Sequence, residues 1–232
     1  MSSTAAEDLL LDWHHSARRD LPWRRTNDPW AVLVSEIMLQ QTQVARVIER
    51  WSEWMQRWPG PAALAAEDRA EVIRAWQGLG YNRRAVNLHR AAEVIAVSGW
   101  PEDLTGLPGV GRYTADAVAR FALKQPVLPV DVNIGRVLER SAASFTPAAA
   151  EALMDLGATV CIARLPRCDE CPLLSLCPSR GMTYPPLRKQ SKFEGSFRQR
   201  RAQTLRAVMA GEPDPHSEEP EVMASLIRDG LL

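Results

Sequence analysis

Apolar residues recur every three to four positions along most of the chain, which is the period of an amphipathic helix. No segment shows the strict alternation with turn dipeptides that is typical of β-hairpins. The pattern therefore predicts an all-α protein. We expect helices over residues 7–19, 29–41, 43–58, 67–77, 82–98, 111–124, 133–143 and 147–160, with two more within 196–211 and 217–232. Asp28-Pro29 has the form of a helix cap followed by proline at the first helical position.

The composition narrows the class of protein. With 232 residues, 46% of them hydrophobic, the chain is long enough for one large domain or two small ones. This excludes a collagen, a wholly disordered chain and a disulfide scaffold. The sequence has neither an apolar run long enough to cross a membrane nor a signal peptide at its start, so we expect a cytosolic protein.

Equal numbers of acidic and basic residues conceal an uneven distribution of charge. The 28 cations comprise 3 lysines (Lys124, Lys189 and Lys192) and therefore 25 arginines. One segment, 180–206, has a single acid, Glu194, and the cations Arg180, Arg188, Lys189, Lys192, Arg198, Arg200, Arg201 and Arg206. Residues 207–232 are acidic instead. The basic segment is compatible with nucleic-acid binding, although solvated charge runs are common.

Four cysteines form the strongest local signal. They are Cys161, Cys168, Cys171 and Cys177, with the spacing Cys-x6-Cys-x2-Cys-x5-Cys, and the chain has no others. Thiolates with this spacing can converge on one metal centre. Disulfides are not expected in a reducing cytosol. Zinc and an iron–sulfur cluster both accept four thiolates, so the residues alone leave these two alternatives open.

Two further segments indicate phosphate binding and acid–base chemistry. Gly109 and Gly111 in the segment Leu107-Pro108-Gly109-Val110-Gly111 allow a hairpin to expose successive backbone N–H groups before a helix, where a phosphate can bind. The alternative is a simple tight turn. Asp131 precedes the helix predicted from 133, and it is expected to cap that helix as an anion.

Glu36 is predicted to lie on an apolar helix face. Val32 and Leu33 precede it by one turn, and Leu39 follows it. Burial favours the neutral carboxyl group, so Glu36 is a candidate general acid, while Asp131 remains ionised. The alternative is a structural glutamate paired to an arginine.

Together these segments resemble the helix-hairpin-helix DNA glycosylases, the superfamily of endonuclease III, and within it the MutY-like adenine glycosylases. The resemblance covers about residues 18–180. Its motifs are LPWR at 21–24, SEIMLQQTQV at 35–44, GLGYNRRAVNLH at 78–89, LPGVGRYTA at 107–115, VDVN at 130–133, MDLGATVC at 154–161 and the cysteine array. The family pattern implies an all-α, two-domain fold and a [4Fe–4S] cluster on the four cysteines.

The resemblance also implies roles for single residues. Glu36 matches the acid that protonates the departing adenine, and Asp131 matches the carboxylate that stabilises the oxocarbenium sugar. Gln40 and Gln41 match residues that contact or wedge into the opened base stack, and Tyr81 matches the aromatic residue that intercalates beside the opposite base. These roles agree with the need to flip a buried base out of the duplex before its glycosidic bond can be reached.

Tyr113 distinguishes branches of the superfamily. Bifunctional glycosylase/lyases carry a lysine at this position, and its amine forms a Schiff base that a phenol cannot form. We therefore expect a monofunctional glycosylase, and Asn133 points the same way. The implied partner is double-stranded DNA with an adenine opposite 8-oxoguanine or guanine, bound by a monomeric enzyme of the bacterial cytoplasm and nucleoid. The alternatives are a glycosylase for thymine or uracil opposite guanine and a non-catalytic DNA-binding iron–sulfur protein.

The expected domains are a helical barrel with the helix-hairpin-helix motif at 22–132, an iron–sulfur cluster domain at 1–21 plus 133–180, and a helical extension at 181–232. Two departures from the family pattern accompany them. The connection between Arg140 and Met154 is shorter by about one helix than in the family pattern. We also expect the chain to lack the carboxyl-terminal domain that helps the family to recognise 8-oxoguanine.

Overall fold

A computed structural model describes residues 3–185 and 192–232, with side chains from residue 5 onward. Every regular element in these ranges is helical, which confirms the all-α prediction. The α-helices are α1 (Ser3–Ala17), α2 (Pro29–Leu39), α3 (Val44–Arg57), α4 (Pro61–Ala65), α5 (Arg69–Trp76), α6 (Arg83–Ser98), α7 (Arg112–Phe121), α8 (Val132–Ser141), α9 (Ala150–Thr159), α10 (Phe197–Ala210) and α11 (Pro220–Arg228). Short 3-10 turns lie at Pro22–Arg25, Leu104–Gly106, Pro147–Ala149 and Cys168–Glu170. No helix in the described ranges is long and apolar enough to cross a membrane.

The chain forms two compact units. Unit 1 comprises Met1–Val32 and Arg112–Arg188, and unit 2 comprises Leu33–Gly111 and Lys189–Leu232. The sequence predicted different domain boundaries, between residues 21 and 22, 132 and 133, and 180 and 181. The largest difference concerns the carboxyl-terminal segment, which belongs to unit 2 because its helices share an apolar core with α5 and α6.

Unit 1 is built on α1, α8 and α9. Its core includes Leu10 of α1, Ile134 and Val137 of α8, and Leu153 and Leu156 of α9, and Leu173 of the cysteine loop packs into the same core. The connection between α8 and α9 is short, and the two helices contact each other directly. Left-handed Ala142 ends α8, and a single 3-10 turn leads into α9. The core beside the cysteines is therefore closed by these helices without the additional helix of the family pattern.

A buried carboxylate joins the start of unit 1 to α9. Asp155, fully buried in α9, accepts two hydrogen bonds from the Arg24 guanidinium at 2.8 and 2.9 Å, one from Arg19 Nε at 2.6 Å, and contacts His14 Nε2 at 2.9 Å. Burial by itself would raise the pKa of Asp155, but the bonds and charges of Arg24 and Arg19 outweigh it and hold that pKa at about 2.

The carboxyl-terminal helices complete the core of unit 2. Leu205 of α10 and Leu226 of α11 are buried with Ile73 of α5 and Val86 of α6, and Leu231 is buried in the same cluster. The expectation of two helices in this segment is met by α10 and α11. Their packing shows that residues 192–232 are an integral layer of this unit.

α2 is buried on all sides. Every residue from Trp30 to Met38 is shielded from solvent, including Ser35 and Glu36. A helix that is hydrophobic all round belongs in a core, and α2 accordingly has no solvent face. Its amino terminus is capped as predicted, because the Asp28 carboxylate accepts from the Trp30 N–H at 3.0 Å.

Candidate functional site

The predicted phosphate-binding hairpin lies at the end of unit 2. Gly109 and Gly111 are exposed at its tip, whereas the Leu107 and Val110 side chains are buried and anchor it. Any contact of this hairpin with a ligand is therefore made by the main chain. Gly109 has φ +80°, and a Cβ built on it would lie 2.8 Å from the Asn87 Cβ. Glycine is thus required both by the backbone conformation and by close approach to α6.

Three predicted DNA-contacting residues lie in two other loops of unit 2. Gln40 and Gln41 follow α2, and Tyr81 precedes α6. The Gln40 side-chain amide donates to the Gly109 carbonyl at 3.5 Å, which links the first loop to the hairpin. Gln41 and Tyr81 are exposed, Tyr81 by 47%. Both have left-handed backbones, with φ of 56° and 47°.

A buried arginine lies between these loops. Arg84, in the first turn of α6, is 8% exposed and donates to carbonyl oxygens of both loops. Burial lowers the pKa of its guanidinium to about 10, so the group remains charged at neutral pH. Its ring neighbours are Trp76 and Tyr81, with centroids 5.3 and 5.6 Å from the guanidinium carbon.

Glu36 lies two turns into α2 and is 7% exposed. The expected apolar environment is present, since Val32 and Leu33 are buried one turn before it. The burial extends around the helix, because every residue from Trp30 to Met38 is shielded from solvent.

Asp131 caps α8, as the sequence predicted. Its Oδ1 accepts from the Asn133 N–H at 3.0 Å and from the Ile134 N–H at 2.7 Å, and its Oδ2 accepts from the Asn133 side-chain amide at 2.9 Å. The Asn133 side-chain oxygen, Oδ1, in turn accepts from Arg136 at 2.7 Å. Arg136 also donates to the backbone carbonyl of Cys161 at 2.7 Å. Asp131 is therefore held at a fixed place by a chain of bonds that reaches the cysteine loop.

Close packing of α8 against α9 supports this arrangement. A Cβ built on Gly157 of α9 would lie 2.8 Å from the Asn133 Cβ and 2.9 Å from its carbonyl oxygen. Arg136 also donates to the Gly157 carbonyl at 2.7 Å. Only glycine permits this approach, so residue 157 determines where the first turn of α8 lies. Tyr113 is partly buried in the first turn of α7 in the same unit.

The four cysteines line one cavity of unit 1, and all four are free thiols. The other walls of this cavity include Arg140, Val160 and Leu174. Within the described ranges, no three cysteine, histidine or carboxylate side chains converge as they would around one metal ion. The arrangement is therefore compatible with four-thiolate binding of either zinc or an iron–sulfur cluster.

Polar groups around the cysteine sulfurs suit anionic thiolates. The Gly181 N–H donates to Cys168 Sγ at 3.3 Å, and Arg140 lies 3.8 Å from Cys161 Sγ. Arg140 is itself fixed by two carbonyls of the loop and by stacking on Tyr184, 3.6 Å from the ring centroid. Burial raises the pKa of the Cys171 thiol to about 11, so a bound cation is needed to hold this thiol as a thiolate.

The basic segment offers less free charge than its sequence suggests. Arg200 pairs with Glu219 at 2.7 Å, and Arg201 pairs with Asp229 at 2.5 Å, so acids of the tail neutralise part of it. Arg188 and Lys189 lie outside the described residues. The segment is therefore a weaker candidate for nucleic-acid binding than the hairpin and its neighbouring loops.

Sequence reasoning missed several residues that build these sites. Arg84, Asn87, Arg136, Arg140 and Asp155 received no role. One signal was available for Arg84, because on the helical wheel of α6 it precedes Leu88, Ala91 and Ile95 at core positions. An arginine at a core position indicates that its guanidinium has hydrogen-bond acceptors inside the protein.

A helical protein with a Gly-x-Gly hairpin and a loop of four cysteines is a helix-hairpin-helix protein with a candidate metal centre. Comparison with known proteins defines the family. Residues 34–157 match the family described as "HhH-GPD superfamily base excision DNA repair protein". An adenine DNA glycosylase of Mycobacterium tuberculosis is 44% identical over 238 residues, covering 88% of this chain and 78% of that protein. The chain belongs to the HhH-GPD superfamily of base excision DNA repair proteins.

Solved structures agree with this fold. A thermostable thymine-DNA glycosylase is similar with a TM-score of 0.70 at 25% identity, covering 76% of this chain and 95% of that one. Endonuclease III, in a trapped covalent intermediate with DNA, gives a TM-score of 0.67 at 21% identity and covers 77% of this chain and 97% of that one. These likenesses confirm the predicted helix-hairpin-helix glycosylase fold.

Proposed function

We propose that this chain is an adenine-specific DNA glycosylase of base excision repair, which hydrolyses the N-glycosidic bond of adenine mispaired with 8-oxoguanine or guanine. The observation that carries the proposal is the 44% identity to an adenine DNA glycosylase over 88% of the chain. The relative's name supports the choice of adenine, and the carboxylates of Glu36 and Asp131 support catalysis.

The capped Asp131 supplies negative charge to the reaction. As the bond between C1′ and adenine breaks, positive charge develops on the sugar, and a fixed anion stabilises it. Three hydrogen bonds from Asn133 and Ile134 orient the carboxylate before the substrate arrives. No reorganisation is then required in the transition state, which is the source of the rate enhancement.

The buried Glu36 supplies the proton. Adenine is a poor leaving group as an anion, so a proton is delivered to the base as the electron pair of the bond passes to it. Water then adds to C1′ and loses a proton, leaving a free base and an abasic site. Tyr113 in place of a lysine supports this monofunctional outcome, in which the strand is not cut.

DNA recognition is assigned to unit 2 and to Asn133. The exposed main chain of the Leu107–Gly111 hairpin binds phosphate, and Gln40, Gln41 and Tyr81 occupy the opened base stack. Asn133 contributes from the first turn of α8. The protein acts as a monomer on double-stranded DNA in the bacterial cytoplasm and nucleoid.

The four cysteines are proposed to hold a [4Fe–4S] cluster. The spacing of the four cysteines, which matches the family pattern, supports this over zinc, and the hydrogen-bond donors around the sulfurs suit anionic thiolates. Cys161, Cys168, Cys171 and Cys177 would hold the cluster as four thiolate ligands, and its iron would supply the positive charge that keeps these sulfurs anionic. Visible absorbance with matching iron and sulfide content is the expected result, whereas a colourless protein with stoichiometric zinc would overturn this assignment.

A single-turnover base-release assay tests the function. Four duplexes are compared, with adenine opposite 8-oxoguanine, adenine opposite guanine, thymine opposite guanine and uracil opposite guanine. We expect adenine release, with strand breaks appearing only after alkali. Release confined to thymine or uracil would instead favour the second candidate, a mismatch thymine or uracil glycosylase, which the likeness to a thymine-DNA glycosylase supports.

A charge-removing substitution tests Asp131. Asn caps helices as well as Asp does, so Asp131→Asn keeps the cap of α8 and removes the charge. Base release should fall on the order of 10³-fold, while duplex affinity persists. Asp68→Asn is the matched control, since Asp68 caps α5 by accepting from the Ala70 N–H at 2.8 Å, and it should leave the rate unchanged. Retained activity in Asp131→Asn would show that another group carries the negative charge.

A further inference from the structure

Arg84 makes an unusual set of bonds for a buried arginine. Its guanidinium lies under two loops, the turn after α2 (residues 40–43) and the loop before α6 (residues 78–82), and it donates to oxygens of both. The acceptors are the carbonyls of Ile37 (2.9 Å), Met38 (2.9 Å), Gln40, Leu79 (3.1 Å), Gly80 (2.9 Å) and Tyr81 (3.4 Å), and the Thr42 hydroxyl (2.9 Å). One planar group therefore connects the end of α2 to the start of α6.

Each of these loops carries one residue with an exposed side chain and a strained backbone conformation. Gln41 and Tyr81 have φ of 56° and 47°, and they are the residues other than glycine with positive φ in the described part of unit 2. Such conformations are unfavourable for residues other than glycine and persist only where the surroundings impose them. The flanking carbonyls of Gln40 and Gly80, both bound by Arg84, provide that constraint.

Stabilisation of the fold accounts for part of this arrangement. The last carbonyls of α2 need donors, and a cation at a helix carboxyl terminus meets the helix dipole favourably. A lysine would supply the same charge. It would not supply the planar fork of N–H donors that reaches oxygens of two separate loops at once. The fork, rather than the charge, is therefore what couples the two loops.

We infer that Arg84 is a positioning residue, which holds the Gln41 and Tyr81 loops as one rigid element so that both side chains enter the base stack together when the target base is extruded. This inference rests on the proposed function, since it concerns the extrusion step of a glycosylase. Pre-ordering the loops during folding removes an entropic cost that would otherwise fall on binding. Arg84 is buried beneath these loops and bonded to their carbonyl oxygens, so it acts through Gln41 and Tyr81.

Charge-conserving variants test the inference in the full-length chain. Arg84→Lys keeps the charge and loses the fork. Arg46→Lys is the matched control, because Arg46 donates to the Gly78 carbonyl at 3.4 Å in the same loop but is exposed. Base release is measured at saturating protein on the adenine·8-oxoguanine duplex. Extrusion is followed by the fluorescence of 2-aminopurine in place of adenine.

We expect Arg84→Lys to lower the saturated rate by about 10- to 100-fold and to reduce the 2-aminopurine signal. Arg46→Lys should match the unmodified protein in both measurements. Thermal melting of each variant reports folding separately. A normal extrusion signal and rate in a folded Arg84→Lys protein would overturn the inference.

A double-mutant cycle separates positioning from general stability. In a chain that also carries Gln41→Ala and Tyr81→Ala, the loops have no side chains to insert, so Arg84→Lys should cost nothing further. An equal loss in both backgrounds would show a merely structural role. If the unmodified protein releases thymine or uracil instead of adenine, the proposed substrate is wrong, and the same cycle on that duplex still decides the role of Arg84.

Discussion

Removal of the buried charge of Asp155 should destabilise unit 1 far more than removal of the partly exposed charge of Glu151 on the same helix. In the substitution Asp155→Asn, an amide N–H₂ replaces an oxygen that accepts from Arg24 or Arg19. Asp155 is 0% exposed and the Arg24 side chain 9% exposed. The Arg24 guanidinium therefore becomes a buried cation without its bidentate anion.

The expected magnitude follows from two independent estimates. Loss of one partner of a buried ion pair costs roughly 3–5 kcal/mol. The pKa of Asp155, about 2 in the folded protein against 3.8 ordinarily, implies on the order of 2 kcal/mol of stabilisation by the charged form. We therefore expect the free energy of unfolding to fall by roughly 2–5 kcal/mol at pH 7.

Glu151→Gln is the control, because Glu151 lies one turn earlier on α9 and pairs with Arg18 at 3.1 Å and Arg24 at 3.8 Å. Its side chain is 29% exposed and that of Arg18 is 53% exposed, so water screens the pair and its loss should cost about 0–1 kcal/mol. Urea denaturation followed by circular dichroism measures both variants. Equal losses in the two variants would refute the reasoning.

The same experiment has a defined pH dependence. The folded pKa of Asp155 is depressed, so its stabilisation is fully present above the unfolded value of 3.8 and is lost as the pH falls towards about 2. The stability difference between the original chain and Asp155→Asn should therefore be constant from pH 5 to pH 7 and narrow below about pH 4. A difference independent of pH down to pH 2 would mean that the charge of Asp155 is not responsible.

Three further predictions concern the candidate sites. Gly109→Ala forces a positive φ on alanine and places a Cβ 2.8 Å from the Asn87 Cβ of α6. Duplex affinity, measured by fluorescence anisotropy, should therefore fall about 10-fold or more. Gly106→Ala is the control, because the space around Gly106 is open and the affinity should not change. Gly157→Ala should displace the first turn of α8 and slow base release by about 10-fold or more, while Gly135→Ala meets only an ordinary contact at 3.7 Å and should leave the rate intact. Glu36→Gln keeps the shape of the side chain and removes the proton, so single-turnover release should fall by roughly 10²–10⁴-fold with an unchanged melting temperature, and a rate within a few-fold of the original would refute its role as the acid.

Local features of this protein were accessible from the sequence because they depend on neighbouring residues. Helix content follows from the apolar period, and the caps at Asp28 and Asp131 follow from the preference of short polar side chains for helix starts. The four cysteines and the glycines of the hairpin are likewise visible as spaced residue types. The motif order also predicted the glycosylase superfamily, which the comparisons confirm.

Burial and pairing between distant residues were decided only by the tertiary structure. Periodicity predicted that Glu36 lies on an apolar face of α2, but only the tertiary structure shows that every residue from Trp30 to Met38 is buried. The hairpin was predicted to expose backbone N–H groups, and only the packing shows that the Leu107 and Val110 side chains turn inward to anchor it.

The burial and the partners of the charged residues were also decided only by the tertiary structure. Arg84, Arg136 and Asp155 look like ordinary surface charges in the sequence, and each is partnered by groups more than a dozen residues away. A charge can be buried only where the fold supplies its partners, and those partners are known only when separate helices are brought together. The sequence by itself therefore determined which helices form and which chemical groups are available, while the tertiary structure decided which of those groups are held rigid enough to act.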